Sequence, residues 1–295
     1  MKLQELLKGV AVTEVHADLE TEVASIVYDS RKAVPGCLFA AISGFASDGK
    51  RFIPMAVERG AVVTVTAKKP DVETPYVLVA SDRLALAQMA CNFYGNPAKS
   101  MQCIGITGTN GKTSVTLLLK SVLEQTRGAK VGLIGTMGNL VGQEAIPSER
   151  TTPESLELQQ LFARMRDAGC QYAVMEVSSH AIALDRIGGV HYDVAAFTNL
   201  TEDHLDFHKT MDAYCDTKAE LFRRCDRAVI NADDPYAPRM LQAAACPVLT
   251  VSAHKEAGLY AKDIALHAQG VEFTAVCGEE TAHVAERIPG RITVY

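Results

Sequence analysis

One stretch fixes more about this chain than any other. An apolar run from Cys103 to Ile106 is followed closely by Gly108-Thr-Asn-Gly-Lys-Thr113 and then by Val115, Leu118, Leu119, Val122 and Leu123. The first run reads as a buried strand, and the last set has the spacing of a helix over Thr113 to Gln125. Strand, glycine loop and helix together make a phosphate cradle, because loop amides and a helix N-terminus point at an anion. Gly108 and Gly111 allow backbone angles and a close approach that a Cβ would block. In such loops the lysine, here Lys112, reaches the β- and γ-phosphates, and the hydroxyl of the next residue, Thr113, ligates Mg²⁺. The candidate nucleotide contacts are therefore Gly108, Thr109, Asn110, Gly111, Lys112, Thr113 and Ser114. The usual spacing is G-x-x-x-x-G-K-[ST]. Gly105 falls one residue too early for it, and Gly108 supplies a shorter form.

Three further sites fall where strands end. Met175-Glu-Val-Ser-Ser-His180 follows an apolar strand and puts Glu176 at its carboxyl end. An acid there holds Mg²⁺, directly or through water, across from Thr113; the competing role is a cap for the next helix. Thr198 to His208 is dense in acids and histidines. His204 suits a metal or a phosphate, against the plain alternative of a solvent-facing loop histidine, and His208 stays open between the two. In the third, helical spacing puts Tyr214, Lys218 and Leu221 or Phe222 on one face. A charged lysine is costly to bury there, and the ordinary answer is to snorkel to water. Loss of the proton is the other, and a neutral amine can add CO₂ to give a carbamate. The residues alone favour the first.

The surrounding pattern is α/β. Two domains are expected for 295 residues, with the break at Gly95-Asn-Pro-Ala98. Before it, strands are expected over 24–28, 37–42, 61–66 and 76–79, and helices over 52–59 and 84–94, the latter capped by Ser81 or Asp82. After it, strands over 130–134, 172–177, 194–199, 228–231 and 247–252 alternate with helices. Thr152 and Pro153 suit the N-cap and first position of a helix running to about Ala168. Other helices are expected over 211–224 and 234–244, and the segments 270–276 and 281–287 read as antiparallel. This alternation implies a mostly parallel sheet with helices on both faces and an antiparallel extension at the C-terminal end. Ligands then gather at the carboxyl ends of the strands.

Composition narrows the function classes. Hydrophobic residues make up 48%, charged residues 22%, and the net charge is −6. No basic stripe marks a nucleic-acid partner. No run nears the roughly 18 apolar residues of a membrane span, and Met1 to Val10 lacks the apolar core of a signal peptide. None of the eight cysteines forms C-x-x-C, which suits reduced thiols. A cytoplasmic monomer is the expectation.

Taken together, Gly108-Thr-Asn-Gly-Lys-Thr113, Glu176-Val-Ser-Ser-His180, Thr198-Asn-Leu-x-x-Asp-His-Leu-Asp-Phe-His208, the Tyr214 to Phe222 helix and Asn231-Ala-Asp-Asp-Pro235 resemble the Mur ligase family. These are ATP-dependent amino-acid ligases of peptidoglycan synthesis, and the second and third motifs resemble the branch that adds the third stem-peptide residue. Asp29-Ser-Arg31, Pro35-Gly36 and the Gly44 to Gly49 segment are similar to its uridine-nucleotide domain. The resemblance implies a UDP-sugar-binding domain over 1–97 and a central ATP-binding domain over 98–295. A third domain, which closes over ATP and holds the incoming amino acid, would follow Tyr295. Without it, turnover by this chain is not expected.

The resemblance also implies a reaction. The γ-carboxylate of UDP-N-acetylmuramoyl-L-alanyl-D-glutamate attacks the γ-phosphate of ATP, and the amine of meso-diaminopimelate or L-lysine displaces phosphate from the acyl phosphate. Lys112 and a Mg²⁺ held by Thr113 and Glu176 would neutralise charge. His204 and Lys218, carried as N6-carboxylysine after reaction with CO₂, would hold a second Mg²⁺. Lys112, Lys218 and His204 are thus the implied catalytic residues. Ser30 would contact the uridine end, and Thr151, Thr152, Ser178 and Arg186 would hold the muramoyl dipeptide and its pyrophosphate, arginine offering a planar fork to two oxygens. Two features depart from some relatives: Leu184 stands where they carry glutamine, and the Gly44-Phe-Ala-Ser-Asp48 loop lacks their His-Gln.

Other readings compete. A ligase adding D-Ala-D-Ala has a similar N-terminal domain but should lack the Glu-Val-Ser-Ser-His and Asp-His-Leu-Asp-Phe-His pair. Folylpolyglutamate synthetase leaves residues 1–97 unexplained. A nucleotide switch makes Lys218 a coincidence. A module that captures a UDP-muramoyl peptide without turnover is the alternative that the expected absence of the third domain keeps open.

Overall fold

The computed structural model describes residues 1–44 and 48–295. Phe45, Ala46 and Ser47, in the loop likened to a uridine contact, lie outside the described residues. The chain opens with α1 (Leu3–Leu6), β1 (Val12–His16), β2 (Ser25–Val27), β3 (Cys37–Ala40), α2 (Ile53–Glu58), β4 (Val63–Thr66), β5 (Tyr76–Val79) and α3 (Asp82–Phe93). It continues through β6 (Gln102–Thr107), α4 (Lys112–Arg127), β7 (Val131–Gly135), β8 (Gly138–Val141), β9 (Glu144–Ile146), α5 (Ser155–Asp167), β10 (Tyr172–Glu176) and α6 (Ser179–Ala183). The last part holds β11 (Val194–Phe197), α7 (Leu205–His208), α8 (Met211–Ala219), β12 (Ala228–Asn231), α9 (Ala237–Ala243), β13 (Val248–Ser252), β14 (Leu259–His267), β15 (Gly270–Cys277) and β16 (Glu280–Glu286).

Two compact units result. The first comprises Met1–Met101, Thr152–Gly169 and Ala183–Val190, and the second comprises the rest. The main crossing lies just past Gly95–Ala98, but the chain also re-enters the first unit twice. One reason is α5, which packs against α3 and buries Leu158, Phe162 and Met165. The first unit is built on a sheet of order β1-β5-β4-β3-β2, parallel except where β1 meets β5. Leu38, Val63, Val65 and Val77 pack with Leu86 and Met89 of α3 into its core. Ser81 caps α3 by accepting from the Leu84 N–H.

The second unit carries an eleven-stranded sheet of order β16-β15-β14-β13-β12-β11-β6-β10-β7-β8-β9. From β14 to β7 neighbouring strands run parallel. At one edge β14, β15 and β16 run antiparallel, as the sequence pattern implies. Strand β7 is buried throughout, and β6 from Cys103 onward, which suits a parallel sheet covered on both faces. From β6 the chain goes to one side for β7 and β10, then crosses to the other for β11. The carboxyl end of β6 is therefore a topological switch point, where open α/β sheets bind ligands.

Some local expectations fail. After β7, where the sequence pattern marks no strand, the chain forms the antiparallel strands β8 and β9; with only four and three residues, they offer too short a pattern to detect. Thr152 is not the cap of α5. The helix starts at Ser155 with Glu154 at the N-cap position, and the Glu154 side chain makes no cap hydrogen bond; its carboxylate pairs with arginines instead, as described below. Among the described residues, no helix is long and apolar enough to cross a membrane.

Candidate active site

The glycine loop sits at the carboxyl end of β6, as its sequence predicts. Gly108 has φ +146° and Gly111 has φ +86°, and a Cβ at Gly108 would overlap Thr198 Oγ1. Close approach of the Thr198–Thr201 turn therefore demands glycine there. That turn, which follows β11, grips the loop. Asn199 accepts from Thr109 N at 2.8 Å and, through Oδ1, from Asn110 N at 3.0 Å, while Thr198 Oγ1 donates to Asn110 O at 2.7 Å. The turn is itself braced by Asn231 Nδ2, donating to Thr198 O, and by Asp234, accepting from Leu200 N. Gly105 has a different task. A Cβ there would lie 2.8 Å from the buried Tyr192 ring, so it is a packing glycine inside β6. This is why it is out of register with a phosphate loop.

Glu176 stands at the end of β10, beside β6. It is 1% exposed, so its carboxylate must be satisfied by protein donors. Thr113 Oγ1 lies 3.0 Å from both of its oxygens. Thr136, just past β7, gives its backbone N–H to Oε1 at 2.9 Å and its hydroxyl to Oε2 at 3.2 Å. Room for this comes from Gly135, where a Cβ would overlap Oε1. Neighbouring ligands at about 2.1 Å from an octahedral Mg²⁺ lie about 3 Å apart. The spacing of Thr113 Oγ1 from the Glu176 oxygens fits that donor set. Thr151, expected to touch substrate, places Oγ1 3.0 Å from Thr136 Oγ1. Ser178 Oγ accepts from Ala181 N at 3.2 Å, at the start of α6.

Two amines meet on one carbonyl. Lys112 Nζ donates to Gly108 O at 2.9 Å and to Thr109 O at 2.8 Å, and Lys218 Nζ donates to the same Gly108 O at 2.9 Å. Lys218 does not snorkel: it is 1% exposed, with Nζ 4.6 Å from the Tyr214 ring centre. Burial, reinforced by the Lys112 charge, lowers its pKa from the ordinary 10.5 to about 7. Burial also lowers the Lys112 pKa, against the opposing pull of Glu176 and Asp203.

Around Tyr214 lies a nest of rings. His208 and His204 have ring centres 4.8 and 6.3 Å from it, and His180 lies 4.8 Å from His204. His208 is buried and shares a 2.9 Å hydrogen bond with Ser179 Oγ. Burial, with His180, Lys218 and His204 adding to it, depresses its pKa to about 4, which favours a neutral structural imidazole. His204 is open to solvent, with its side chain 46% exposed and its backbone at φ +52°, a region that non-glycine residues rarely occupy. Tyr214 thus neighbours both groups, with Lys218 Nζ over its ring and the His204 ring edge-on to it. Among the described residues, no three His, Cys, Asp or Glu side chains converge as a metal cluster.

The first unit has its own polar cluster. Glu154 pairs with Arg83 Nη1 at 3.2 Å and with Arg186 Nε at 2.8 Å, all three side chains being largely buried. Arg186 Nη1 also donates to the carbonyl of buried Thr152. Ser30 is buried, with its hydroxyl against Met55 Sδ at 3.3 Å. Sequence reasoning missed Thr136, Asn199, Glu154 and Arg83. Thr136 and Asn199 had a local signal, each a polar residue just past an apolar strand, and Asn199 stands inside the Thr198 to His208 motif without a role assigned to it.

Residues 106–295 match the model of the Mur ligase middle domain, and residues 22–94 match that of the Mur ligase family, catalytic domain. The chain is 45% identical over 300 residues to the UDP-N-acetylmuramoyl-L-alanyl-D-glutamate–2,6-diaminopimelate ligase of Caldanaerobacter subterraneus subsp. tengcongensis, covering 100% of this chain and 61% of that protein. It is 44% identical over 300 residues to the ligase of the same name from Clostridium botulinum, covering 100% of this chain and 62% of that protein. A solved structure of an enzyme of that name superposes with a TM-score of 0.85 at 25% identity, over 100% of this chain and 61% of that one. The chain thus spans about 61% of the length of these relatives.

Proposed function

Because the chain belongs to the Mur ligase family, we propose that it serves an ATP-dependent ligase that joins 2,6-diaminopimelate to UDP-N-acetylmuramoyl-L-alanyl-D-glutamate. The names of its relatives support this substrate pair. The single observation that carries the reading is the shared Gly108 carbonyl, on which the Lys112 and Lys218 amines converge at 2.9 Å each. A bare nucleotide switch has no use for a second, fully buried lysine at its phosphate loop.

In this reading residues 1–97 bind the UDP-sugar and residues 98–295 bind ATP. Lys112 turns from the loop carbonyls to the phosphates and neutralises charge as the phosphoryl group moves to the substrate γ-carboxylate. A Mg²⁺ held by Thr113 and Glu176 would supply further neutralisation. Lys218, whose lowered pKa leaves much of the amine neutral near pH 7, adds CO₂ through its nitrogen lone pair and releases one N–H proton, leaving a carbamate. The carbamate is an anion beside Lys112, and with His204 it would hold a second Mg²⁺. Thr151, Thr152, Ser178 and Arg186 hold the muramoyl dipeptide, and Ser30 the uridine. The protein works as a cytoplasmic monomer.

The test is calorimetric titration of the 295-residue chain with UDP-N-acetylmuramoyl-L-alanyl-D-glutamate, with UDP-glucose as control and Mg·ATP as a check on the loop. Selective binding of the muramoyl compound is expected. Equal binding of both sugars, or none of either while Mg·ATP binds, refutes the substrate assignment.

A further inference from the structure

The hydroxyl of Thr136 stands between two groups with different tasks. On one side is Glu176 Oε2, 3.2 Å away; on the other is Thr151 Oγ1, 3.0 Å away. A hydroxyl carries one proton, and a carboxylate can only accept. Glu176 also takes the Thr136 backbone N–H at 2.9 Å, so the acid and this residue are held in register by two bonds. The Thr136 hydroxyl proton must therefore point at Glu176. Its contact with Thr151 can then be made only with the Thr151 proton, because the Thr136 oxygen is left with lone pairs. The polarity runs one way, from Thr151 to Thr136 to Glu176.

We infer that Thr136 is a positioning residue that fixes Thr151 as a hydrogen-bond acceptor, so that the ligand group seated at Thr151 is an N–H or O–H donor. This rests on the proposed function for Thr151 being a substrate contact and for the identity of that ligand, whereas the relay itself rests on the two hydroxyl contacts alone. The class of contact is the opposite of a phosphate or carboxylate oxygen, which would need Thr151 to donate. Of the groups that UDP-N-acetylmuramoyl-L-alanyl-D-glutamate offers, the donors are its amide N–H groups, its sugar hydroxyls and the uracil N3–H, the last belonging to the uridine end assigned to Ser30. Its pyrophosphate and carboxylates are acceptors and belong elsewhere. The acid that holds the cation thereby sets the polarity of a substrate contact two hydroxyls away.

The experiment has a ligand-bound arm and a ligand-free arm. In the first, the 295-residue chain and its Thr136→Val, Thr136→Ser and Thr151→Val variants are titrated with the parent compound and with a panel of analogues. Each analogue replaces one donor: an amide N–H by an ester oxygen, or a sugar hydroxyl by hydrogen. Valine at 136 keeps the shape and the backbone N–H but removes the relay, whereas serine keeps it. One analogue should bind the parent chain and Thr136→Ser roughly 3- to 10-fold more weakly than the parent compound, the worth of one ordinary hydrogen bond. The same analogue should lose nothing against Thr151→Val and less against Thr136→Val. If Thr151→Val weakens the parent compound but no donor-deleted analogue couples to it, Thr151 is a donor and the inference falls.

The second arm follows hydroxyl proton exchange by NMR in the ligand-free chain. A slowly exchanging Thr151 hydroxyl proton, made fast by Thr136→Val and kept slow by Thr136→Ser, upholds the relay even if the muramoyl compound does not bind. In that case the substrate assignment fails alone. A Thr151 hydroxyl that exchanges freely in the parent chain overturns the relay whatever the ligand does.

Discussion

Replacing Gly135 by alanine tests whether Glu176 is placed by its surroundings or simply points into a gap. The added Cβ would overlap Oε1 and stand 3.1 Å from Cδ and 3.3 Å from Cγ. To restore ordinary contact the carboxylate must retreat by roughly 1 Å, and with 1% exposure it has no solvent to retreat into. That displacement stretches the 2.9 Å bond from Thr136 N and the 3.0 Å contacts with Thr113. Hydrogen bonds to a charged group contribute about 1.5–3 kcal/mol, and disturbing the partners of a metal ligand costs about 10- to 100-fold in metal affinity. The assay is ADP binding by calorimetry with saturating Mg²⁺ and again in chelator. The variant should lose roughly 10- to 100-fold in the Mg²⁺-dependent part of the affinity and nothing in the metal-free part. Unchanged Mg²⁺ dependence in a folded variant refutes the assignment of Glu176. Loss of metal-free binding as well would mean that the loop, not the acid, was disturbed.

Gly105→Ala is the matching control, since its Cβ would press on the Tyr192 ring at 2.8 and 2.9 Å and on Val177 at 3.2 Å. Overpacking of this kind costs about 1–3 kcal/mol; calorimetric melting should show a lower transition while the folded variant keeps its Mg·ADP affinity. In CO₂-free buffer, where Lys218 stays a free amine, Lys218→Met should change how stability depends on pH. The folded amine titrates near 7 rather than 10.5, so between these values the unfolded chain binds the extra proton and the stability of the parent rises with pH. Below about pH 7 the full penalty of burying the cation applies. Urea denaturation should therefore show the parent gaining on Lys218→Met from pH 7 to 10, and parallel curves would refute the buried-amine assignment. Glu154→Ala leaves Arg83 and Arg186 without the carboxylate that joins them. Breaking a largely buried pair in this way costs about 3–5 kcal/mol, to be read as a lower urea midpoint, and an unchanged midpoint would mean that both guanidinium groups reach water.

What could be read from the sequence, and what could not, divides by distance along the chain. The strand, the glycine loop and the helix of the phosphate cradle lie within one short segment, and local spacing alone carries them. Glu176 was legible because β10 is an apolar run with an acid at its end, and the parallel sheet brings that end beside β6. Lys218 shows the limit of such reasoning. Its helical face was readable, but whether a lysine on an apolar face snorkels or is buried depends on what covers it. Here the cover is Tyr214 and the carbonyl of Gly108, 110 residues away. The same holds for Gly105, whose reason is a tyrosine ring supplied from beyond β10, and for Glu154, whose partners stand 71 residues before it and 32 after. Thr136 is the sharpest case. It looks like any polar residue after a strand, yet its hydroxyl lies between that of Thr151 and an acid 40 residues on. Spacing rules find groups that touch a ligand, because those cluster at strand ends. The residues that aim such groups are chosen by contacts the sheet creates, so they emerge only once the strand order is known.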